Sequence, residues 1–423
     1  MLQINFIREN PELIIERLKI KNFDATKIIE KIIENDKVRR ETQTKLDNTL
    51  AETNKISKEI GILFKSGKQD EAKALKERSA ILKKTAQELN ENLATAKKDL
   101  DSLLVQLPNI PHPSVPAGKT EDDNELISEE AREITFNFEP KAHWDLISEF
   151  DIIDFELGNK VAGAGFPFYK GKGARLQRAL VNFFLDEAIN AGYLEYQPPV
   201  LVNEESAYAT GQLPDKDGQM YHVTEDNLYL IPTAEVPITN IYRDVIMKED
   251  ELPVKNVAYS NCFRREAGSW GAHVRGLNRL HLFDKVEIVQ IAHPEKSYDI
   301  LEEMKDYVAG LCRKLELPFR IVRLCGGDLS YTSALTYDFE VFSAGQKRWL
   351  EVSSVSNFET FQSNRLKLRF KDKNGKTQLA HTLNGSALAL PRILAAILEN
   401  NQTPDSVIIP EILRPYTGFD EIR

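Results

Sequence analysis

Cysteine is scarce: Cys262, Cys312 and Cys325 are the only three in 423 residues. They are widely separated and odd in number, so neither a disulfide framework nor a zinc site is suggested. No zinc is expected, and a reducing cytoplasm is the expected setting. Long apolar runs are also missing, which argues against a membrane span. Residues 1–6 lack the basic start and apolar block of a signal peptide. The glycines at Gly163-Ala164-Gly165 and Gly171-Lys172-Gly173 lack the spacing of a phosphate loop and read as loop glycines. The seven histidines show no metal-ligand spacing. His281 lies near the richest motif, but reads more readily as a packed or hydrogen-bonded histidine than as a base. Basic excess is missing too. A net charge of -10 argues against a protein coated in positive surface, although a local patch can still meet a phosphate-bearing partner.

What is present is an ordinary globular composition, 42% hydrophobic and 28% charged, long enough for two or three domains. Residues 27–107 stand apart. They hold only Gly61 and Gly67 and no proline. Apolar or small residues recur by threes and fours at Leu46, Thr49, Thr53, Ile56, Ile60 and Leu63. The same steps recur at Leu82, Ala86, Leu89, Leu93, Ala96, Leu100, Leu103 and Leu107. Ile28 and Ile32 extend the first seam backwards, where Asn35, Arg39 and Thr42 make it polar. These are heptad seams. Phe64 to Asp70 supplies a helix-to-helix turn, so one antiparallel helical hairpin is expected, with some 36 residues in each helix, about 54 Å long. From Lys27 to Asp101 there are 17 Lys+Arg and 14 Asp+Glu. A mildly basic arm on an acidic body suits a phosphate-bearing partner, though charges on a long helix more often simply solvate it. Arg39, Lys65, Lys68, Lys73, Lys76 and Arg78 are the candidate contacts.

Pro108, Pro111, Pro113 and Pro116, followed by an acidic run, read as an extended linker. The expected division is therefore 1–107 for the arm-bearing domain, 108–134 for the linker and 135–423 for the body. Helices are expected over 176–189, 295–315 and from near Gly385 to Asn400. Strands are expected over 196–202, 228–232, 257–264, 282–291, 319–323, 336–342 and 348–355. Many strands joined by hairpin-like loops argue for an α+β fold with an antiparallel sheet.

The most informative stretch is Phe263-Arg264-Arg265-Glu266 with its Gly-rich loop Gly268-Ser269-Trp270-Gly271, returning through Phe283 and Glu287. An arginine fork matches phosphate oxygens, and an aromatic face can stack on a base. Arg265 also fits a surface ion pair with Glu266, worth under about 1 kcal/mol. Arg264 fits that reading poorly, because Phe283, Glu287 and the Gly-rich loop follow in order. Further on, Glu351-Val352-Ser353-Ser354 puts a carboxylate and a hydroxyl three apart. That odd spacing places them on opposite faces of a regular strand, so a bulge or a strand end is needed for both to reach one ion. Thr233-Ala234-Glu235 and Thr382 to Arg392 complete the polar set.

On these motifs the chain resembles class II aminoacyl-tRNA synthetases from about Gly158 onward, and along its whole length the bacterial-type seryl-tRNA synthetase family. The resemblance implies a class II catalytic sheet flanked by helices, behind an N-terminal antiparallel coiled-coil hairpin that binds tRNA. It implies a homodimer built on Gly192 to Pro199, with either Pro198 or Pro199 as the motif's proline. An alternative is that the two prolines merely end an edge strand. It implies that Arg264 grips the α-phosphate, Glu266 orients adenine and Phe283 stacks on it. Arg265, Glu351, Val352, Ser353, Ser354 and Arg392 complete the ATP site. Glu351 and Ser354 would hold Mg²⁺, the one cofactor expected with ATP as co-substrate. Thr233, Ala234, Glu235, Glu287 and Ser386 would bind L-serine. Two positions depart from the family pattern: Ala387 replaces a common glycine, and so does Pro391, which suits a first helical turn but would kink a helix deeper in.

The implied activity is serine–tRNA ligation: serine and ATP form seryl-adenylate, and tRNA(Ser), with tRNA(Sec) where present, accepts the seryl group. The arm of one subunit is expected to serve the partner's active site. Two rivals remain. A ligase that loads a carrier protein would lack a long arm, and a non-catalytic RNA-binding scaffold would not need Arg264, Glu266, Glu351 and Arg392.

Overall fold

The computed structural model describes residues 1–132, 134–267 and 275–423. The loop Gly268-Ser269-Trp270-Gly271 and His273 therefore lie outside the described residues. The chain divides into two compact units. One comprises Met1–Lys19 and Phe23–Pro108, the other Ile20–Asn22 and Asn109–Arg423. Most of the stretch expected as a linker thus groups with the second unit.

The first unit contains the helical hairpin. Its helices, Thr26–Lys65 and Gln69–Leu104, have 40 and 36 residues, about 60 and 54 Å at 1.5 Å per residue. Leu46, Thr53 and Ile56 on the first helix and Leu93, Ala96 and Leu100 on the second are buried, while Ile60, Leu63, Leu82 and Leu89 are half-buried. The first helix ends because Gly67 takes φ +76°. Its neighbours close two reverse bonds, Lys68 N–H to the Leu63 carbonyl at 3.1 Å and Gly67 N–H to Phe64 at 3.3 Å. This is the Schellman arrangement that glycine favours. The polar half of the seam has a physical reason: Asp36 is buried and receives Arg8 at 3.1 Å, Arg39 at 2.7 Å and Arg40 at 2.9 Å.

The second unit is built on an eight-stranded sheet. Its strands are β1 (Glu125–Glu130), β2 (Leu194–Tyr196), β3 (Val254–Phe263), β4 (Leu282–Ala292), β5 (Phe319–Arg323), β6 (Leu335–Ser343), β7 (Arg348–Asn357) and β8 (His381–Ala389). Their spatial order is β1-β5-β6-β7-β8-β4-β3-β2. Every pairing is antiparallel except β2 with β3. The strand expected over 196–202 is two strands. Pro198 and Pro199 cannot donate to a ladder, and Leu201–Asn203 joins a separate small sheet.

Side-chain alternation divides the two faces. Val257, Val286, Ile288 and Val355 point into the main core, with Phe183 and Phe184 from helix Gly171–Asn190, Met304 from helix Ser297–Lys314, and Ile393 and Leu394 from helix Leu390–Asn400. Ala258 and Val289 face the other way, against Ala234 and Ile238.

The closing helix starts at Leu390, not near Gly385. Residues 385–389 are small or apolar and tolerate a helix. They nevertheless pair with β4 on one side, and Gly385 also pairs with β7 on the other, and this tertiary pairing overrides propensity. Pro391 consequently falls in the first turn, where its missing N–H costs no helix bond.

Candidate active site

The polar residues gather on the sheet face opposite the helical core. Along β4, Phe283, Lys285 and Glu287 share one side; their partners on β3 are Cys262, Ser260 and Ala258. Arg264 continues the β3 series, its N–H donating to the His281 carbonyl at 3.0 Å. The Arg264 guanidinium lies over the Phe283 ring at 5.2 Å. On β8, Ser386 stands opposite Glu287, and Asn384 opposite Val289.

Two irregularities let odd spacings share this face. The β6–β7 register shifts between Phe339 and Glu340, leaving Val352 as an extra residue on β7. Such a bulge reverses the alternation, so Glu351 and Ser354 come to one side and Val352 is buried. The requirement raised by their spacing is met by this bulge. A second shift lies between Lys285 and Glu287, which pair with Ala389 and Ser386. The extra residue falls at Ala387–Leu388, and Leu388 takes φ +73°, a conformation that costs a branched side chain about 1–2 kcal/mol.

Three of the serine-binding candidates, Thr233, Glu235 and Glu287, form one buried chain of hydrogen bonds. Thr233 Oγ1 donates to the Glu287 carboxylate at 3.0 Å and accepts the Glu235 N–H at 3.2 Å. Glu287 also pairs with the Lys285 ammonium; their side chains are 1% and 9% exposed. Gln362 Nε2 donates to Glu235 Oε1 at 2.6 Å and to the Thr210 carbonyl at 3.1 Å. Burial first, and then the like charge of Glu287, push the Glu235 carboxyl up to about 7. Ala234 is fully buried, and Ser386 is buried in its β8 position.

The nucleotide candidates are more open. Arg264 and Arg265 are exposed, and Glu266 accepts Arg279 at 2.8 Å. Arg392 donates from Nε to the Asn278 carbonyl at 3.1 Å and from Nη1 to the Glu351 carbonyl at 2.6 Å. It also lies 3.5 Å from the Glu351 carboxylate. Ser353 differs from its neighbours: its hydroxyl is buried and donates to the Ser386 carbonyl at 2.7 Å. Val352 and Ser353 thus contribute no exposed side chain.

His281 is packed. It stacks on Phe166 at 5.4 Å and meets the Tyr221 hydroxyl at 3.0 Å. A Cβ on Gly165 would come within 2.3 Å of its ring, which explains that loop glycine. Of the arm candidates, Arg39 is held by Asp36, Arg78 pairs with Glu52, and Lys68 pairs with Glu71 at 3.1 Å. Lys65, Lys73 and Lys76 are exposed. A separate cleft of about 720 Å³ is lined by Phe136, Phe138, Pro404 and Ile408 among others. None of the site residues lines it.

Sequence reasoning missed Lys285, Gln362, Asn384 and Asp338. Lys285 and Asn384 each sit two residues from a recognised position, the spacing that shares a strand face, so a signal existed. Asp338 stands opposite Ser354, and its Oδ1 is buried without a hydrogen-bond partner. Burial and then repulsion from Glu351 raise its carboxyl well above the ordinary value, opposed by a hydrogen bond from Ser354.

Among the described residues no group of three or more His, Cys, Asp or Glu is arranged to hold a metal. The Glu351–Ser354 pair nevertheless fits Mg²⁺, which is commonly bound through one or two carboxylates plus phosphate oxygens and water. Beside this pair, the buried Asp338 Oδ1 without a hydrogen-bond partner is an orphaned polar atom that a bound cation or its water would satisfy.

Known proteins resemble this chain along its length. Residues 1–111 match the seryl-tRNA synthetase N-terminal domain family, and residues 221–401 the tRNA synthetase class II core domain family (G, H, P, S and T). The serine–tRNA ligase of Salinibacter ruber is 49% identical over 424 residues, covering 100% of this chain and 99% of the relative. That of Thermodesulfovibrio yellowstonii is 46% identical over 429 residues, covering 100% of both. The seryl-tRNA synthetase of Pyrococcus horikoshii, solved in complex with ATP, superposes with a TM-score of 0.92 at 36% identity, covering 100% of this chain and 99% of that one. Arm, sheet and site residues are all spanned by these full-length matches, and the chain belongs to the seryl-tRNA synthetase family of class II aminoacyl-tRNA synthetases.

Proposed function

We propose that this chain activates L-serine with ATP and transfers it to tRNA(Ser). The observation that carries the reading is the single sheet face on which Arg264, Phe283, Glu287, Ser386, Glu351 and Ser354 converge. The Glu235 and Glu287 carboxylates suit a substrate ammonium, since ionised hydrogen bonds are roughly twice as strong as neutral ones. Thr233 and Ser386 suit its hydroxyl. A pocket built for a hydroxyl rejects alanine by about 10⁴ or more, because its polar groups would be left unpaired.

The serine carboxylate attacks the α-phosphorus. A P–O bond to it forms, the bond to the bridging oxygen breaks, and pyrophosphate leaves with that electron pair. The carboxylate is already a nucleophile, so no general base is required. Arg264 stabilises the charge that grows on the α-phosphate oxygens, Phe283 stacks on adenine, and Arg392 meets the outer phosphates. Glu351 and Ser354 would hold Mg²⁺, which neutralises phosphate charge when bound. A terminal ribose hydroxyl of tRNA then attacks the acyl carbon, and AMP departs. The arm-bearing unit binds tRNA by shape and backbone, as duplex RNA requires, with Lys65, Lys73 and Lys76 among its exposed cations. A homodimer is supported by the apolar edge around β2, where Leu194 is 59% and Ile189 44% exposed.

A pyrophosphate–ATP exchange assay without tRNA, run over a panel of amino acids, tests the reading. Exchange only with serine is expected. No exchange would support a scaffold, and exchange without subsequent tRNA charging would support a ligase acting on another carrier.

A further inference from the structure

A second polar cluster lies buried near the site and is used by no step above. Its hub is Glu399, in the last turn of the helix whose first turn carries Arg392. Glu399 and His143 are both 0% exposed. Glu399 Oε1 accepts the His143 backbone N–H at 2.9 Å, His143 Nδ1 at 2.7 Å and Gln346 Nε2 at 3.0 Å. Oε2 accepts the Ser343 hydroxyl, and the Gly345 and Gln346 N–H groups at 3.0 and 3.3 Å. Burial would raise this carboxyl, but the donors, His143 first, outweigh it and hold it below the ordinary range.

The far side of the cluster grips one short segment. Leu277 N–H donates to His143 Nε2 at 2.9 Å. Because that N–H can only donate, the imidazole proton sits on Nδ1 and points at Glu399. Gly276, at φ +68°, lies so close that a Cβ would meet Nε2 at 2.3 Å. Arg275 covers the Trp144 ring at 4.8 Å. Asn278 Nδ2 donates to Gln346 Oε1 at 2.9 Å. The carbonyl of the same Asn278 receives Arg392 Nε at 3.1 Å. One buried carboxylate thus ties the segment that returns from the Arg264 hairpin to the helix that bears Arg392.

We infer that Glu399, His143 and Gln346 are positioning residues for the nucleotide: they fix segment 275–278, whose Asn278 carbonyl sets the Arg392 guanidinium. The inference rests on the reading of Arg392 as a nucleotide contact. A purely structural cluster would lower stability and disturb both substrates alike. A positioning cluster acts on ATP alone, because the serine residues hang on β4, β8 and the Thr233 segment.

The test is serine-dependent pyrophosphate exchange on the full chain. Gln346→Ala is the primary variant, since it keeps the backbone donors to Glu399 and removes the side-chain contacts of Gln346 with Glu399, Ser343, Arg348 and Asn278. Its KM for ATP is expected to rise about tenfold, with KM for serine held within about twofold. Arg392→Ala should raise the ATP KM further, and the double variant should be no worse than Arg392→Ala, because one contact is lost twice. Glu399→Gln should act in the same direction as Gln346→Ala. If it does not fold, the Gln346 results decide. Equal shifts in both KM values, no shift at all, or a multiplicative double variant would overturn the coupling while leaving the nucleotide reading intact. An unchanged ATP KM in Arg392→Ala would overturn both.

Discussion

Glu287→Gln is the sharpest perturbation of the proposed serine pocket, because it keeps the shape and removes the charge. In the wild type the carboxylate is 1% exposed, accepts Thr233 at 3.0 Å and neutralises Lys285, itself 9% exposed. Two losses follow, and they separate. The first is stability. Lys285 is left as a buried ammonium without its partner, which typically costs about 3–5 kcal/mol. The added substitution Lys285→Met should recover much of that loss, since replacing both members of a buried pair is often near neutral. The second is recognition. A hydrogen bond to a charged group is worth about 1.5–3 kcal/mol, or roughly 10- to 150-fold in affinity. Exchange kinetics should therefore show KM for serine rising by that factor, with KM for ATP unchanged. Thermal unfolding, measured on the same preparations, shows whether the variant is folded. A folded Glu287→Gln protein whose serine KM stays within twofold of wild type would refute the assignment.

Arg264→Ala should abolish adenylate formation, by about 10²–10³ or more in rate if it acts as an oxyanion-type donor. Being exposed, it should cost little stability beyond its contact with Phe283, so robust exchange by a folded variant would remove the phosphate role. Deleting residues 35–98, with the ends joined by a short turn, should leave exchange intact and cripple tRNA charging; unaffected charging would remove the arm's role. Glu235 should release a proton when serine binds below its raised value of about 7. KM for serine should then climb toward tenfold per unit as pH falls below that value. Calorimetry in buffers of different ionisation enthalpy at pH 6 reads the proton directly, and no release would contradict the pairing. In the free protein the sign is opposite. The folded state holds the extra proton between the ordinary glutamate range and about 7, so this group's contribution to stability falls as pH rises through that window.

Much of this fold was legible because its signals are local. The heptad seams needed only periodicity, and the hairpin through Arg264 and Phe283 needed only order along the chain. The buried Asp36 illustrates the limit. Asn35, Arg39 and Thr42 were visible as a polar stretch, and Arg39 and Arg40 lie within helical reach of Asp36, yet nothing local says that Arg8, 28 residues earlier, joins them on the same buried carboxylate. The start of the closing helix was misread for a similar reason. Small residues at 385–389 carry little preference, and the neighbouring strands decided their state. Gln362 and the Glu399 cluster are joined to their partners across 127 and 256 residues, distances at which a single sequence holds no pairing information.

The two bulges have a mechanical corollary. A regular ladder can slip by one step and still satisfy its hydrogen bonds, and such a slip turns every side chain over. Here a slip of β7 against β6, or of β8 against β4, would have to carry the extra residue with it, so both alignments are pinned. Acidic, hydroxyl and basic groups drawn from distant strands cannot then creep past one another by degrees. Mistakes in assembling this sheet should accordingly yield molecules with no working pocket, rather than a population of partly active ones.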